Sequence, residues 1–323
     1  MLELDRLGRS RSNVARTASD RVLPSHGQRF ALGGVAFELL TASPGPGRSP
    51  GFVLEPDTAR YCVPSGRHPV VADVLCSVAI DDARFEGASR FGGLELPSGT
   101  IDDLSRGELE LRAPRVHATL CRLAPQRYAC SARIASDPLA LSALLRSIVA
   151  IVVHDAGGVM VHAAGIVLDQ QAVIYVGPSG AGKSTAATLT DRARMFACDH
   201  VALLPQRAGG VLAYGMPGGS TAAMSQTSEA VWPLGAVFRI LRDGPAVPKP
   251  HTPRVTLLQS AEALFTMREA VESPDESIAA EQKRLAAVAA IASATKVGTL
   301  HTVLGASIGQ LVREQLTRQE VRA

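Results

Sequence analysis

One segment of the sequence combines glycines, a lysine and hydroxyl residues in the spacing of a phosphate-binding loop. Residues 177–185 read GPSGAGKST and satisfy the pattern GxxxxGK[ST] at every fixed position. They follow the apolar segment 172–176 and open a predicted helix, which is the context that this motif requires. Glycines let the backbone N–H groups of such a loop point inward at a phosphate. The predicted nucleotide-binding residues are Gly177, Pro178, Ser179, Gly180, Ala181, Gly182, Lys183, Ser184 and Thr185.

Lys183 and Ser184 are the residues of this loop with side chains suited to a nucleoside triphosphate. Lys183 is one of only four lysines in the chain, so composition alone does not explain a lysine at this position. A lysine here reaches the β- and γ-phosphate oxygens, and the hydroxyl of the next residue is a ligand for Mg²⁺. We therefore expect ATP as the nucleotide and Mg²⁺ as the metal, with Ser184 as one metal ligand.

A histidine and an aspartate stand at predicted strand ends close to this loop. His162 interrupts the apolar segment 159–165, and Asp199 follows a short apolar segment. A carboxylate at such a strand end can hold Mg²⁺ or accept the proton of an attacking hydroxyl, so Asp199 is a candidate base and metal ligand. Taken alone, Asp199 also fits a turn between strands and His162 fits a core histidine. His154 and His200 fit a solvated helix end and a turn.

The second half of the chain has the pattern of an α/β fold that could position these residues. Asp137 and Pro138 start a helix as capping residue and first helical proline, and glycines end it. Apolar strands at 159–168 and 172–177 flank a polar turn before the glycine-rich loop and a helix from about Lys183. Further strands are predicted at 195–198, 200–205, 211–215, 236–241 and 297–304, and further helices at about 260–271, 277–293 and 306–319.

The first part of the chain has a different pattern. Residues 1–27 mix Arg, Ser and Asp without a hydrophobic period, which predicts a loose tail with at most a short helix. Residues 28–136 contain short apolar stretches of strand length, separated by segments rich in Gly and Pro. This pattern predicts an antiparallel β-rich region.

Composition narrows the class of protein. Hydrophobic residues make up 46% of the chain and charged residues 20%, which is typical of a globular protein. The formal net charge of +3 is too small to indicate nucleic acid or an anionic membrane as the main partner. The five cysteines form no CxxC pair, and no signal-peptide or membrane-span pattern is visible. We therefore expect a cytoplasmic protein with reduced thiols.

The order of these motifs resembles the catalytic core of the HPr kinase/phosphorylase family and its HPr kinase-like relatives. That core has a strand carrying His, a hairpin into the P-loop, a helix and a strand ending in an acidic pair. The resemblance extends over about residues 137–304 and is strongest over 157–205. It implies an α/β domain at 137–323 with a fold akin to the nucleotide-binding part of phosphoenolpyruvate carboxykinase. It also implies catalytic roles for His162, Lys183 and Asp199.

The chain departs from the family pattern at several positions. Where the family has two acids, this chain has Cys198 followed by Asp199. The later acidic motif of the family is matched only by Glu229, and its downstream arginine only by Arg254. We therefore expect a divergent relative that acts on another substrate than HPr.

Several functions remain open on the sequence alone. The first is an ATP-dependent kinase that transfers the γ-phosphoryl group to a hydroxyl of a protein, peptide or small molecule. The second is a nucleotide-binding regulatory or accessory module with little transfer activity. A transport ATPase is disfavoured because no LSGGQ-like signature follows the loop, and a carboxykinase rests on fold analogy alone. The resemblance is also compatible with a homo-oligomer, and residues 28–136 are a candidate region for recognition of the acceptor.

Overall fold

A computed structural model describes most of the chain. The described residues are 22–23, 28–41, 52–53, 62–64, 70–85, 104, 107–216, 231–242, 253–272, 278–302 and 307–317. Most of the predicted tail and Glu229 lie outside these residues. Within them, helices and sheets are mixed, so the molecule is of the α/β class.

The described residues of the first part of the chain form nine strands. They are β1 (Val22–Leu23), β2 (Gln28–Leu32), β3 (Val35–Thr41), β4 (Phe52–Val53), β5 (Val63–Pro64), β6 (Ala72–Ile80), β7 (Glu108–Ala113), β8 (Val116–Ala124) and β9 (Arg127–Ile134). A short 3₁₀-helix covers Asp82–Phe85. Strands β1 and β4 pair with each other, and the other seven form one sheet in the order β5-β2-β3-β6-β9-β8-β7. The predicted β-rich character of this region is confirmed.

The prediction of a purely antiparallel sheet is wrong for the three middle strands. Strand β6 pairs in parallel with both β3 and β9. Parallel neighbours require a crossover connection of a dozen or more residues. The segments 42–71 and 81–126 are both long enough to make such a connection. The alternation of apolar residues in a strand is the same for parallel and antiparallel pairing, so it does not reveal the direction of the strand.

A helix joins this sheet to the second half of the chain. Helix α1 (Pro138–Asp155) begins as predicted, because the Asp137 carboxylate accepts a hydrogen bond of 2.8 Å from the Leu139 amide. Its apolar residues pack in one continuous core with the inner face of the first sheet and with part of the second sheet. The helix is therefore buried between the two sheets.

Nine further strands lie within the described residues of the second half. They are β10 (Val159–Leu168), β11 (Gln171–Val176), β12 (Arg194–Ala197), β13 (His200–Pro205), β14 (Val211–Met216), β15 (Val231–Arg242), β16 (Arg254–Leu257), β17 (Val271–Glu272) and β18 (Lys296–Thr302). All nine belong to one sheet. The predicted strands of this half are confirmed, whereas β16 and β17 were not predicted.

In the residues that the structure describes, four helices accompany this sheet. They are α2 (Lys183–Leu189), α3 (Ser260–Ala270), α4 (Ile278–Ala294) and α5 (Gly309–Thr317). Two further apolar cores lie between these helices and the sheet. No helix of the described ranges is both long and apolar enough to cross a membrane.

Three strands of the second sheet run in parallel and share one carboxyl-terminal edge. Strand β15 pairs in parallel with β11 and with β18. The glycine-rich loop follows directly after β11, so it lies at that edge. In α/β sheets, the carboxyl ends of parallel strands are the usual place for a ligand.

Candidate functional site

The glycine-rich loop turns sharply between β11 and α2. Gly177, Gly180 and Gly182 have φ values of 147°, 76° and 99°, a region that residues with a Cβ rarely adopt. A Cβ on Gly177 would lie 3.2 Å from the Ala181 Cβ. The glycines that the motif requires are therefore at positions where the backbone conformation needs them.

Lys183 is folded onto its own loop. Its Nζ atom donates hydrogen bonds to the carbonyl oxygens of Gly177 at 3.0 Å and Pro178 at 3.2 Å, and the residue is only 7% exposed. Ser184 is half-buried and Thr185 is exposed. The lysine ammonium is therefore held against the first two residues of the loop.

A buried hydrogen-bond pair anchors the helix that follows the loop. The Tyr175 and Thr190 hydroxyls lie 2.8 Å apart, and Thr190 donates to the Ala186 carbonyl at 2.8 Å. Complete burial raises the pKa of the Tyr175 hydroxyl, so this group stays neutral. The contact fixes the end of α2 to the strand that leads into the loop, which limits how far the loop can move.

Asp199 lies between two histidines. Its Oδ1 atom is 3.3 Å from His162 Nδ1, and its Oδ2 atom is 3.2 Å from His200 Nδ1. The two imidazole rings meet edge to face, with centroids 5.7 Å apart. His162 and His200 face each other across the antiparallel pair β10–β13, and the Asp199 carbonyl accepts a 2.8 Å hydrogen bond from Ala163 N. Backbone pairing therefore positions all three side chains.

Asp199 is held in its ionised form. The close contact with His200, whose Nδ1 atom lies 3.2 Å from Asp199 Oδ2, is the main reason that the pKa of the Asp199 carboxyl is below its ordinary value. Partial burial opposes this shift, while the charges of His200, His162 and Arg146 add to it. At neutral pH the group is therefore a carboxylate that can accept a proton or bind a cation.

The side chains near the loop offer two kinds of metal-ligand atom, oxygen and nitrogen. Ser184 and Asp199 offer oxygen atoms, which are the ligands of Mg²⁺, and Mg²⁺ takes its remaining ligands from water and phosphate. His162, Asp199 and His200 place one ligand atom each within 4.8 Å of one another. Two imidazoles and one carboxylate favour Mn²⁺ or Zn²⁺ over Mg²⁺. Ser184 and Asp199 thus fit Mg²⁺, whereas Asp199 together with the two histidines forms a group that favours a different metal.

A cavity of about 460 Å³ lies beside the loop. It is bordered by both Gly177 and Pro178, by His162, and by side chains of β15 and α3. Among these side chains are Arg239 and Glu269, whose Nη1 and Oε2 atoms lie 3.3 Å apart. The first two residues of the phosphate-binding motif and one member of the histidine–aspartate cluster, His162, therefore border one accessible space.

Some expectations from the sequence are wrong. His154 is buried at the end of α1 instead of solvated, and His200 is the first residue of β13 and contacts Asp199 instead of filling a turn. Arg254 lies on β16, with its Nη2 atom 3.5 Å from His301 Nδ1. Arg239 was missed, although an arginine inside an otherwise apolar strand was a visible signal.

Comparisons with known proteins find a family model and solved structures that are similar to parts of this chain. The family described as SynChlorMet cassette protein ScmC matches residues 133–272, which is less than half of the chain. The structure of the Hpr(Ser) kinase/phosphatase from Coxiella burnetii is similar over 48% of this chain and 94% of that chain, with 14% sequence identity and a TM-score of 0.26. No curated protein matches the sequence. Residues 133–272 contain the loop, the histidine–aspartate cluster and most of the cavity lining.

Proposed function

We propose that this protein is an ATP-dependent phosphotransferase of the HPr kinase-like type. The observation that carries the proposal is that His162, which contacts Asp199, borders the same cavity as Gly177 and Pro178 of the phosphate-binding loop. A phosphate donor on the loop and an acceptor in the cavity would then be neighbours. The acceptor is a hydroxyl of a protein, peptide or small molecule.

Lys183 and the loop amides bind the triphosphate in this mechanism. Phosphate oxygens replace the carbonyl oxygens of Gly177 and Pro178 as acceptors for the Lys183 ammonium. A charged donor prefers an anionic oxygen, because charge-assisted hydrogen bonds are about twice as strong as neutral ones. The same side chain that stabilises the loop therefore becomes a phosphate ligand.

Asp199 serves as the base. The acceptor oxygen forms a bond to the γ-phosphorus, and the bond from that phosphorus to the β–γ bridging oxygen breaks. ADP leaves with the electron pair, and the acceptor proton passes to the Asp199 carboxylate. His162 and His200 orient the carboxylate. Mg²⁺, held by Ser184 and Asp199, would neutralise charge on the phosphate oxygens when it is bound.

A direct test separates nucleotide binding from transfer. Calorimetric titration of the full chain with ATP and Mg²⁺ is expected to show one nucleotide bound per chain. Incubation with γ-labelled ATP and candidate acceptors is then expected to release ADP and label one class of acceptor. Absence of ATP binding in a folded protein would refute the proposal.

One observation favours the alternative of a nucleotide-binding accessory module. Cys198 occupies the place of the first acid in the related kinases and is itself buried. With one carboxylate, Asp199 has to serve both metal and acceptor. Stoichiometric ATP binding without any acceptor labelling or ADP release would support this module and contradict the kinase.

A further inference from the structure

The cavity beside the loop carries one cation and one anion on its wall. Arg239 comes from β15 and Glu269 from the last turn of α3, and they form an ion pair at 3.3 Å. Their side chains are 35% and 45% exposed. Both therefore remain accessible to a molecule that enters the cavity.

Stability does not explain this pair. Ion pairs with this degree of exposure contribute only about 0–1 kcal/mol. Arg239 nevertheless interrupts a strand whose neighbours Phe238 and Ile240 are buried, and it stands opposite Val176, the last residue before the loop. The parallel pairing of β11 and β15 thus fixes a guanidinium next to the phosphate-binding loop.

We propose that this cavity is the acceptor subsite and that it binds a free hydroxy amino acid. The Arg239 guanidinium binds the α-carboxylate, and the Glu269 carboxylate binds the α-ammonium. The inference rests on the proposed function, because it names the acceptor of that reaction. His162 borders the same cavity and contacts Asp199, so an acceptor held by these two charges lies beside the histidine that leads to the base.

The two opposite charges argue for a zwitterion over other acceptors. An acceptor with only an anionic group would face Glu269, and one with only a cationic group would face Arg239. A serine inside a polypeptide has neither charge on its backbone. The rest of the lining includes the small or apolar residues Val176, Ala270 and Val271, which suits a short side chain. A cavity of about 460 Å³ also has room for a molecule of this size.

The reaction with such an acceptor is balanced. The side-chain oxygen of the amino acid bonds to the γ-phosphorus of ATP as the bond to the β–γ bridging oxygen breaks. ADP leaves with that electron pair, and Asp199 takes the hydroxyl proton. The products are ADP and an O-phosphorylated amino acid.

Binding of matched amino acid analogues tests the proposal on the wild-type chain. Saturation-transfer NMR and calorimetry would compare L-serine, L-threonine and L-homoserine with L-serinamide, which lacks the carboxylate, and with N-acetyl-L-serine, which lacks the ammonium. At least one of the three amino acids is expected to bind. Each serine analogue should bind about tenfold more weakly or worse than the free amino acid, as for the loss of one charge-assisted hydrogen bond.

Two variants assign the charges to the residues. Arg239→Gln should weaken amino acid binding while leaving the weak binding of serinamide unchanged. Glu269→Gln should also weaken amino acid binding while leaving the weak binding of N-acetylserine unchanged. Arg313→Gln, which changes an arginine on α5 that pairs with Asp169, is the control and should alter neither. If a variant has a lower melting temperature than the wild type, the comparison of analogues on the wild-type chain still tests the proposal.

The outcomes separate this inference from the proposed function. If ATP binds through Lys183 but none of the three amino acids binds, or if the analogues bind equally well, the inference is wrong and the kinase proposal stands. If amino acids bind through Arg239 and Glu269 but ATP does not bind, the cavity is an amino acid site and the kinase proposal is wrong. Amino acid-dependent release of ADP that Arg239→Gln suppresses would support both.

Discussion

The ammonium group of Lys183 donates a 3.0 Å hydrogen bond to the carbonyl oxygen of Gly177, the first residue of the same loop. The motif lysine is therefore a loop-stabilising donor as well as a candidate phosphate ligand. A polar group with two carbonyl partners in a nearly buried setting is costly to remove.

Lys183→Met should weaken ATP binding by about ten- to a hundredfold, because a charge-assisted hydrogen bond to phosphate is lost. It should also lower the melting temperature slightly, since two carbonyl oxygens lose their donor. Lys296→Met is a matched control, because Lys296 Nζ also donates to two carbonyl oxygens, those of Gln315 and Leu316. Calorimetry and thermal melts of both variants make the comparison. Equal ATP affinity in the two variants would contradict the role of Lys183.

Asp199→Asn should spare ATP binding within about tenfold yet reduce turnover by about a hundredfold, the scale of losing a general base. The measurement is ADP release at saturating ATP. Asp169→Asn serves as control, because Asp169 lies in the β10–β11 turn with an exposed ion pair to Arg313. Wild-type turnover in Asp199→Asn would reduce Asp199 to a turn residue and favour the accessory module.

His200→Gln should move the acidic limb of the pH–rate profile to higher pH. The contact with His200 is the main cause of the lowered pKa of Asp199, so its loss raises that pKa, and the base becomes protonated at a higher pH as the pH falls. His117→Gln, which changes a histidine paired with Glu110 on the first sheet, should leave the profile unchanged. If the acidic limb of the pH–rate profile does not shift in His200→Gln, protonation of Asp199 does not determine that limb.

Cys198→Asp should lower the melting temperature in the absence of divalent cations. The new carboxylate would be largely buried beside Asp199, and a buried charge near a like charge is unfavourable. If the new carboxylate and Asp199 bind a metal together, Mg²⁺ or Mn²⁺ should raise the melting temperature part of the way back. Cys198→Asn, with the same shape and no charge, should show no recovery with either ion. Equal recovery in both variants would argue against a metal at this position.

Asp155→Asn should destabilise the fold by about 1–3 kcal/mol at neutral pH. The Asp155 side chain is 5% exposed and accepts from Tyr128 Oη at 2.6 Å and Lys283 Nζ at 3.1 Å, which links α1 to β9 and α4. Burial alone would raise the pKa of this carboxyl, but these hydrogen bonds and the charges of Lys283 and Arg122 hold it below its ordinary value.

The pH dependence of this effect follows from the direction of the shift. A lowered pKa in the folded state gives stability that is present above the unfolded pKa of about 3.9 and is lost as the pH falls through the folded pKa. Urea unfolding of wild type and Asp155→Asn should therefore converge as the pH falls below the folded pKa of Asp155. Asp81→Asn, at a more exposed pair with Arg133, should lower the free energy of unfolding by less than Asp155→Asn at neutral pH. A difference between wild type and Asp155→Asn that is independent of pH would contradict this assignment.

The sequence by itself determined the local structure. Three local features depend on residues within a few positions of one another: the loop at 177–185, the cap at Asp137 and the turn after β10. Hydrogen bonds between residues close in the sequence stabilise such features. The positive φ values of Asp169 and Gln170 and the Asp137 cap agree with this. Hydrophobic periodicity likewise placed most strands and helices of the second half.

Only the tertiary structure decided which distant residues meet. The register of β10 against β13 places His162 opposite His200, and the parallel register of β11 against β15 places Arg239 opposite Val176. Register and strand direction depend on long connections and on packing of whole sheets, which no local pattern encodes. The phosphate-binding loop could therefore be recognised from its own residues, whereas the two-histidine carboxylate cluster and the charged cavity wall depend on how the sheet pairs.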